Sequence, residues 1–384
     1  MLTVQRTEST DGFAALQAEW TELLEASTAD GLFLTWDWLY TWWTHLAGDR
    51  RLFLLTVRRG SELVAIAPLA LAPARLERLV PFRSLEFMGT GAVGSDYLDL
   101  IARRGWEDSA VVAISEYLRQ QRLMLQLDRV SRASSLASRL AVRLTPAGWT
   151  LREGPTEVCP FIDLGAHTWE SYLRTLSSAH RYNFQRRLKN LRRRYAVELD
   201  RVSTEEDRGP ALARLLQLHE ARWRSRGGST AFASEGLASF HDELTRRALA
   251  QGWLRLFELR LDGRAAASLY GFRYRETFSF YQSGLDPAYA KDSVGLVTMG
   301  LAIQSAIEEG VSEYDFLHGD EAYKFQWAGQ ARELARLELY PPRWRGLLYQ
   351  QAIALGRGAR RTARRVLRPD PSEGRGPAPV TTES

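Results

Sequence analysis

With 384 residues, the chain exceeds what one hydrophobic core ordinarily serves, so two domains are expected. A hydrophobic content of 45% with 12 Trp, 14 Tyr and 15 Phe can fill both cores and excludes a disordered chain, and the single cysteine, Cys159, excludes an internal disulfide. Net charge is a modest +5, yet only Lys189, Lys291 and Lys324 among the 51 basic residues are lysines, and the last two fall beside the segment richest in reactive groups.

The six histidines have no paired metal-ligand spacing, so no metal is expected. The start, MLTVQRTESTDGF, has no basic region leading into an apolar run, and the longest apolar run, LVAIAPLALAPA, is broken by prolines and too short for a bilayer. A cytoplasmic location is therefore expected.

In chain order, apolar periodicity predicts a helix around Phe13 to Leu24, and FLTWDWLYTWWTHL repeats aromatic residues at helical spacing, the pattern of a packed core. LFLLTVRRGSELVAIAPLALA reads as a hairpin turning at Arg59-Gly60, and SLEFMGTGAVGSDYLDLI as two strands around a glycine-rich loop. That loop matches G-x-G-x-x-G at Gly89, Gly91 and Gly94, but a strand is expected after it where a dinucleotide site needs a helix N-terminus. A linker over Gly148 to Pro160 is expected to divide the chain.

Beyond it, SSAHRYNFQRRLKNLRRRY predicts a helix with Phe184, Leu188, Leu191 and Tyr195 on one face, and a second helix is expected from Gly209 to about Arg226. WLRLFELRLDGRAAASLYGFRYRETFSFYQSGLD supplies three strands, the first turn marked by Asp262-Gly263. A helix then runs from about Val294 to Glu309, and SEYDFLHG is one more strand. The halves echo each other, with DYLDLI in the first answering EYDFLHG in the second. The expected units are residues 1–150 and 160–343, followed over 344–384 by a basic helix and a disordered tail poor in apolar residues.

The segment YDFLHGDEAYKFQW, Tyr314 to Trp327, sets Asp315, His318, Asp320, Glu321, Tyr323 and Lys324 at the end of a strand. The helix before it begins at KDSVGL, where Ser293 is expected to act as N-cap and Gly295 to let a ligand reach early N–H groups, which suit an anion. This order of strand, anion-holding helix start, strand and polar residues resembles the GNAT acyltransferase fold. HRYNFQRRLKNLRR, FYQSGLDPAYAKDSVG, the helix ending AIEEG and YDFLHGDEAYKFQW look most like the cellulose-biosynthesis-type (CelD/BcsL) acetyltransferase-like proteins, relatives of the FemABX aminoacyltransferases. The resemblance covers Phe161 to Pro341 well and the first half more weakly.

What it implies is an α/β chain of tandem GNAT-like domains, with mixed, mainly antiparallel sheets flanked by helices. It also implies transfer of an acyl group from acetyl-CoA or another acyl-CoA to an amine or hydroxyl of a saccharide or polysaccharide precursor. Ser293, Val294, Gly295 and Leu296 would hold the CoA pyrophosphate; Asp315, His318 or Asp320 would be the base and Tyr323 the acid. Lys324 would bind an anionic part of donor or acceptor, and Arg181, Asn183, Arg186 and Tyr281 would face substrate.

KDSVGL has one glycine where the GNAT pyrophosphate loop has a second Gly or Ala two residues on, and FemABX relatives take aminoacyl-tRNA instead. Nucleic acid is otherwise not expected, because aromatics do not interleave the arginines. A non-catalytic alternative docks RRLKNLRRR and the C-terminal helix, with Leu347, Leu348 and Ile353 beside its charges, on an anionic surface such as the inner membrane face. Such a module has no need of Asp315, Tyr323 and Lys324 around a helix start.

Overall fold

The computed structural model describes residues 1–342 except 74, 78–79, 134, 155–156 and 225–233, and beyond them 346, 348 and 351. The basic helix and tail expected over 344–384 lie outside the described residues but for those isolated positions.

The chain opens with strand β1 (Leu2–Thr7), which sequence reasoning did not identify. The apolar run after it forms two short helices, α1 (Thr10–Ala15) and α2 (Gln17–Glu25), where one was expected. Helix α3 (Trp36–Leu46) buries Trp36, Trp38 and Trp42, as aromatic spacing suggests. β2 (Leu54–Arg59) and β3 (Glu62–Ala67) form the predicted hairpin, and β1 adds to its free edge. After β4 (Ser84–Phe87), the DYLDLI segment is mostly irregular, with only Ile101–Ala102 pairing against β3. Then follow α4 (Glu107–Gln121), β5 (Met124–Ser131) and α5 (Leu136–Leu144).

The expected linker is part of the sheet instead. β6 (Thr150–Glu153) and β7 (Glu157–Asp163) both pair with the last strand. Pro160 is tolerated inside β7 because its carbonyl still accepts from Phe316 N at 2.9 Å, and a proline lacks only the donor.

The second half contains α6 (Ser178–Arg194), β8 (Val197–Arg201), α7 (Glu205–Arg224) and α8 (Glu235–Ala250). Next come β9 (Leu254–Leu261), β10 (Arg264–Tyr274), β11 (Thr277–Leu285) and α9 (Val294–Glu308). β12 (Glu313–Asp315), α10 (Ala322–Phe325) and β13 (Gln330–Tyr340) complete it.

One 12-stranded sheet runs β8-β9-β10-β11-β12-β7-β13-β5-β4 and on to two short strands of the first half, so β13 stitches the halves together. Two crossovers repeat. β4 and β5 are parallel across α4, and β11 and β12 are parallel across α9, the connection that a parallel pair requires. The partner of EYDFLHG in the repeat is therefore β5, not DYLDLI. Alternation along β12 sends Tyr314 towards α9, where its hydroxyl meets Met299 Sδ at 3.4 Å, and Asp315 to the opposite face.

Candidate active site

β11 and β12 pair only over Thr277–Ser279 against Glu313–Asp315 and then part. β11 stays with β10 as far as Leu285, with Tyr281 as an extra residue that bulges the strand where the fork opens. Beyond Ser279 no strand among the described residues lies on its other side. The chain turns through 287–292 and enters α9, and in the angle lies a cavity of about 380 Å³. Asn183, Ser293, Gly295, Leu296 and Tyr323, all singled out from the sequence, line it together.

The helix start differs in one respect from expectation. Ser293 sits at φ 58° and makes no side-chain cap, because it closes the preceding turn through its N–H on Ala290 O. Leu296 and Val297 N–H donate to Ser293 O, so the amides of Val294 and Gly295 have no partner within the helix and are donors for an anion. The Val294 side chain itself is buried in the core. The other expected substrate contacts lie off this cavity: Arg181 donates to Leu173 O at 3.3 Å, Arg186 to Asn183 Oδ1 at 3.3 Å, and Tyr281 to Val93 O.

Past β12 the chain makes a tight turn. Leu317, at φ 55°, occupies a left-handed conformation that a bulky residue adopts only when its surroundings impose it. Asp315 Oδ1 accepts its N–H at 2.7 Å, and Lys324 Nζ donates to its carbonyl at 3.3 Å. The same ammonium donates to His318 O at 2.7 Å and pairs with Glu321 at 2.9 Å, so all three protons are engaged within the loop. Gly319, at φ 132°, lies so close that a Cβ would stand 2.6 Å from Nζ. Asp315 and Lys324 are buried and brace the turn, while Asp320 projects into solvent. Asp315 also accepts from Tyr97 Oη at 2.7 Å; burial pushes its carboxyl up to about 7 despite these two bonds.

What the turn presents is His318. Its backbone N–H and its Nδ1 both meet Asp96 Oδ2, at 2.9 and 3.0 Å, and Asp96, fully buried, is also held by Arg129 at 3.1 Å. Donation from Nδ1 to a carboxylate leaves the lone pair on Nε2, in a side chain 33% exposed that lies outside the lining of the fork cavity. Asp96 ends the glycine-rich loop of the first half, which Tyr281 grips through Val93 and Trp38 through Ser95 Oγ at 2.8 Å. One loop thus bridges both arms of the fork. Sequence reasoning missed Asp96, because its partner lies 222 residues away and no local pattern marks it.

The fold is GNAT-like, and residues 178–325 match the family model described as an acetyltransferase (GNAT) domain. No curated protein sequence matches the chain closely enough to count as a relative. Among solved structures, FemX is similar at a TM-score of 0.56 and 11% identity, covering 87% of this chain and 96% of FemX. A conserved protein of unknown function from Bacteroides thetaiotaomicron VPI-5482 gives 0.54 and 13%, over 88% of this chain and all of that one. L-PGS from Bacillus licheniformis gives 0.51 and 14%, over 90% and 96%. Among the described residues, no helix is long and apolar enough to cross a membrane.

Proposed function

We propose that the protein is an acyltransferase of the cellulose-biosynthesis (CelD/BcsL) kind, taking an acyl group, acetyl in the first instance, from acyl-CoA to an amine or hydroxyl of a saccharide or its precursor. The observation that carries this is the cavity at the fork, where Asn183, Ser293, Gly295, Leu296 and Tyr323 meet at an uncapped helix start inside the segment that matches the GNAT model.

The Val294 and Gly295 amides take the pyrophosphate, which brings the thioester carbonyl into the fork. The acceptor attacks that carbon and its proton passes to His318 Nε2, with Asp96 holding the ring and stabilising the imidazolium. The carbon–sulfur bond breaks, and Tyr323 on the cavity wall protonates the departing thiolate. Transfer does not pass through a cysteinyl thioester, since the sole cysteine is buried and burial pushes its thiol up, away from the reactive thiolate.

One observation favours a second donor. α6 exposes Arg186, Lys189, Arg192 and Arg193, a cationic face suited to aminoacyl-tRNA.

The test is release of CoA thiol from acetyl-CoA in the presence of amino and hydroxyl sugars. His318→Gln should lower kcat by about 10²- to 10⁴-fold with unchanged acetyl-CoA affinity. Undiminished turnover removes His318 as base, and no thiol release from any acceptor counts against the acyl-CoA donor.

A further inference from the structure

On the face of the sheet opposite α9 lies a second cavity, of about 690 Å³, well within the size range of small-molecule sites. Both halves wall it. Its floor is acidic: Asp99 and Asp315 line it at 7% and 2% exposure, beside Ser279 at 5%, and the fully buried Asp96 lies directly behind them. Its rim is basic, with Arg132, Arg139, Arg275 and Arg332 about one third to one half exposed. Each arginine already pairs with an acid, but a guanidinium has five donors and keeps some for a ligand. Ser131, Thr277, Phe33 and Tyr97 also line it.

We propose that this cavity binds the acceptor, and that the acceptor is an amino sugar carrying an anionic group such as phosphate, its amine against the aspartate floor and its anion on the arginine rim. This rests on the acyltransferase reading and names the substrate of the same site. Asp99 already accepts the N–H groups of Leu100, Leu136 and Ala137, and Asp315 accepts Leu317 N–H and Tyr97 Oη, but each carboxylate keeps a lone pair for a ligand cation, and half-exposed arginines favour a bidentate anion. Burial holds the carboxyls of Asp99 and Asp315 up, at about 6 and about 7, so an arriving ammonium would draw both towards the ionised form. The hydroxyl and aromatic side chains of the lining suit a sugar ring. The cavity reaches the base of the fork: Ser279 and Asp315, the last paired residues before it, lie on this floor. Asp96, behind the floor, is also the partner of His318, so the acceptor site and the base share a wall.

The test titrates full-length protein with glucosamine 1-phosphate, glucose 1-phosphate and glucosamine by calorimetry, with no acyl donor present. Gly31 lines the cavity in extended backbone, and a Cβ there meets only Ala29 O at 3.9 Å, so Gly31→Trp should fold and fill the space. Saturable binding of glucosamine 1-phosphate is expected, at least about tenfold weaker for either truncated ligand, lost in Gly31→Trp and weakened in Arg139→Glu, a half-exposed rim position. Acetyl-CoA affinity should be the same in both variants. No saturable binding by roughly 10 mM, equal binding of glucose 1-phosphate, or full binding in Gly31→Trp would overturn the proposal. Amino-sugar binding without acetyl-CoA binding would leave this site standing and remove only the CoA donor.

Discussion

Asp315 and Lys324 stand out in the sequence as reactive groups, and in the structure both act on the backbone. One accepts the Leu317 N–H and the other donates to two carbonyls, which together turn His318 onto Asp96. The rarity of lysine pointed to a residue with a demanding position, but the demand is internal. Asp96 was illegible for the opposite reason: its meaning depends on a partner brought from the other half. Asp315 has a consequence for stability. An unfolded aspartate titrates near 3.9, roughly, and this one at about 7 when folded, so the native state holds an extra proton across that window. Its contribution is therefore complete below the unfolded value and is lost as pH rises through about 7. Melting temperature measured from pH 4 to 8 should fall, and less steeply in Asp315→Asn, where Asp99, raised to about 6, keeps its own share of the slope; the same slope in both proteins would show that Asp315 carries none of it.

Among the elements, those with clean local signals were legible. The hairpins at Gly60 and Gly263, the apolar face of α6 and the extent of α9 follow from turn chemistry and periodicity alone. β13 was not, because ELARLELY alternates its apolar residues with charges like a surface strand, although it sits in the middle of the sheet. β7 was hidden by Pro160, read as punctuation. α6 and α9 meet closely behind the donor cavity: a Cβ on Gly300 would stand 2.2 Å from the Phe184 ring. Gly300→Ala should therefore destabilise by about 1–3 kcal/mol in urea unfolding, against the slight gain an alanine normally brings to a helix. Unchanged or increased stability would contradict this packing.

For the whole molecule, length anticipated two units and the echo between the halves their similarity, and the repeated strand–helix–strand crossovers fit a GNAT-like plan. What a linear reading could not reveal is that the sheet is continuous between them, and that the first half lends Asp96 and a bridging loop to the fork of the second. The first half therefore completes the proposed site.

Everything proposed for this fork depends on a CoA thioester entering it beside Gly295. The most direct measurement is calorimetric titration of the full-length protein with acetyl-CoA, wild type beside Gly295→Arg. Gly295 is exposed, and a Cβ there meets only the end of the Leu285 side chain at 3.3 Å, so the arginine should fold normally and block the cavity. Saturable binding in the wild type, lost in a variant of unchanged melting temperature, is the predicted result. No binding at millimolar acetyl-CoA, or equal binding in both proteins, would contradict the account.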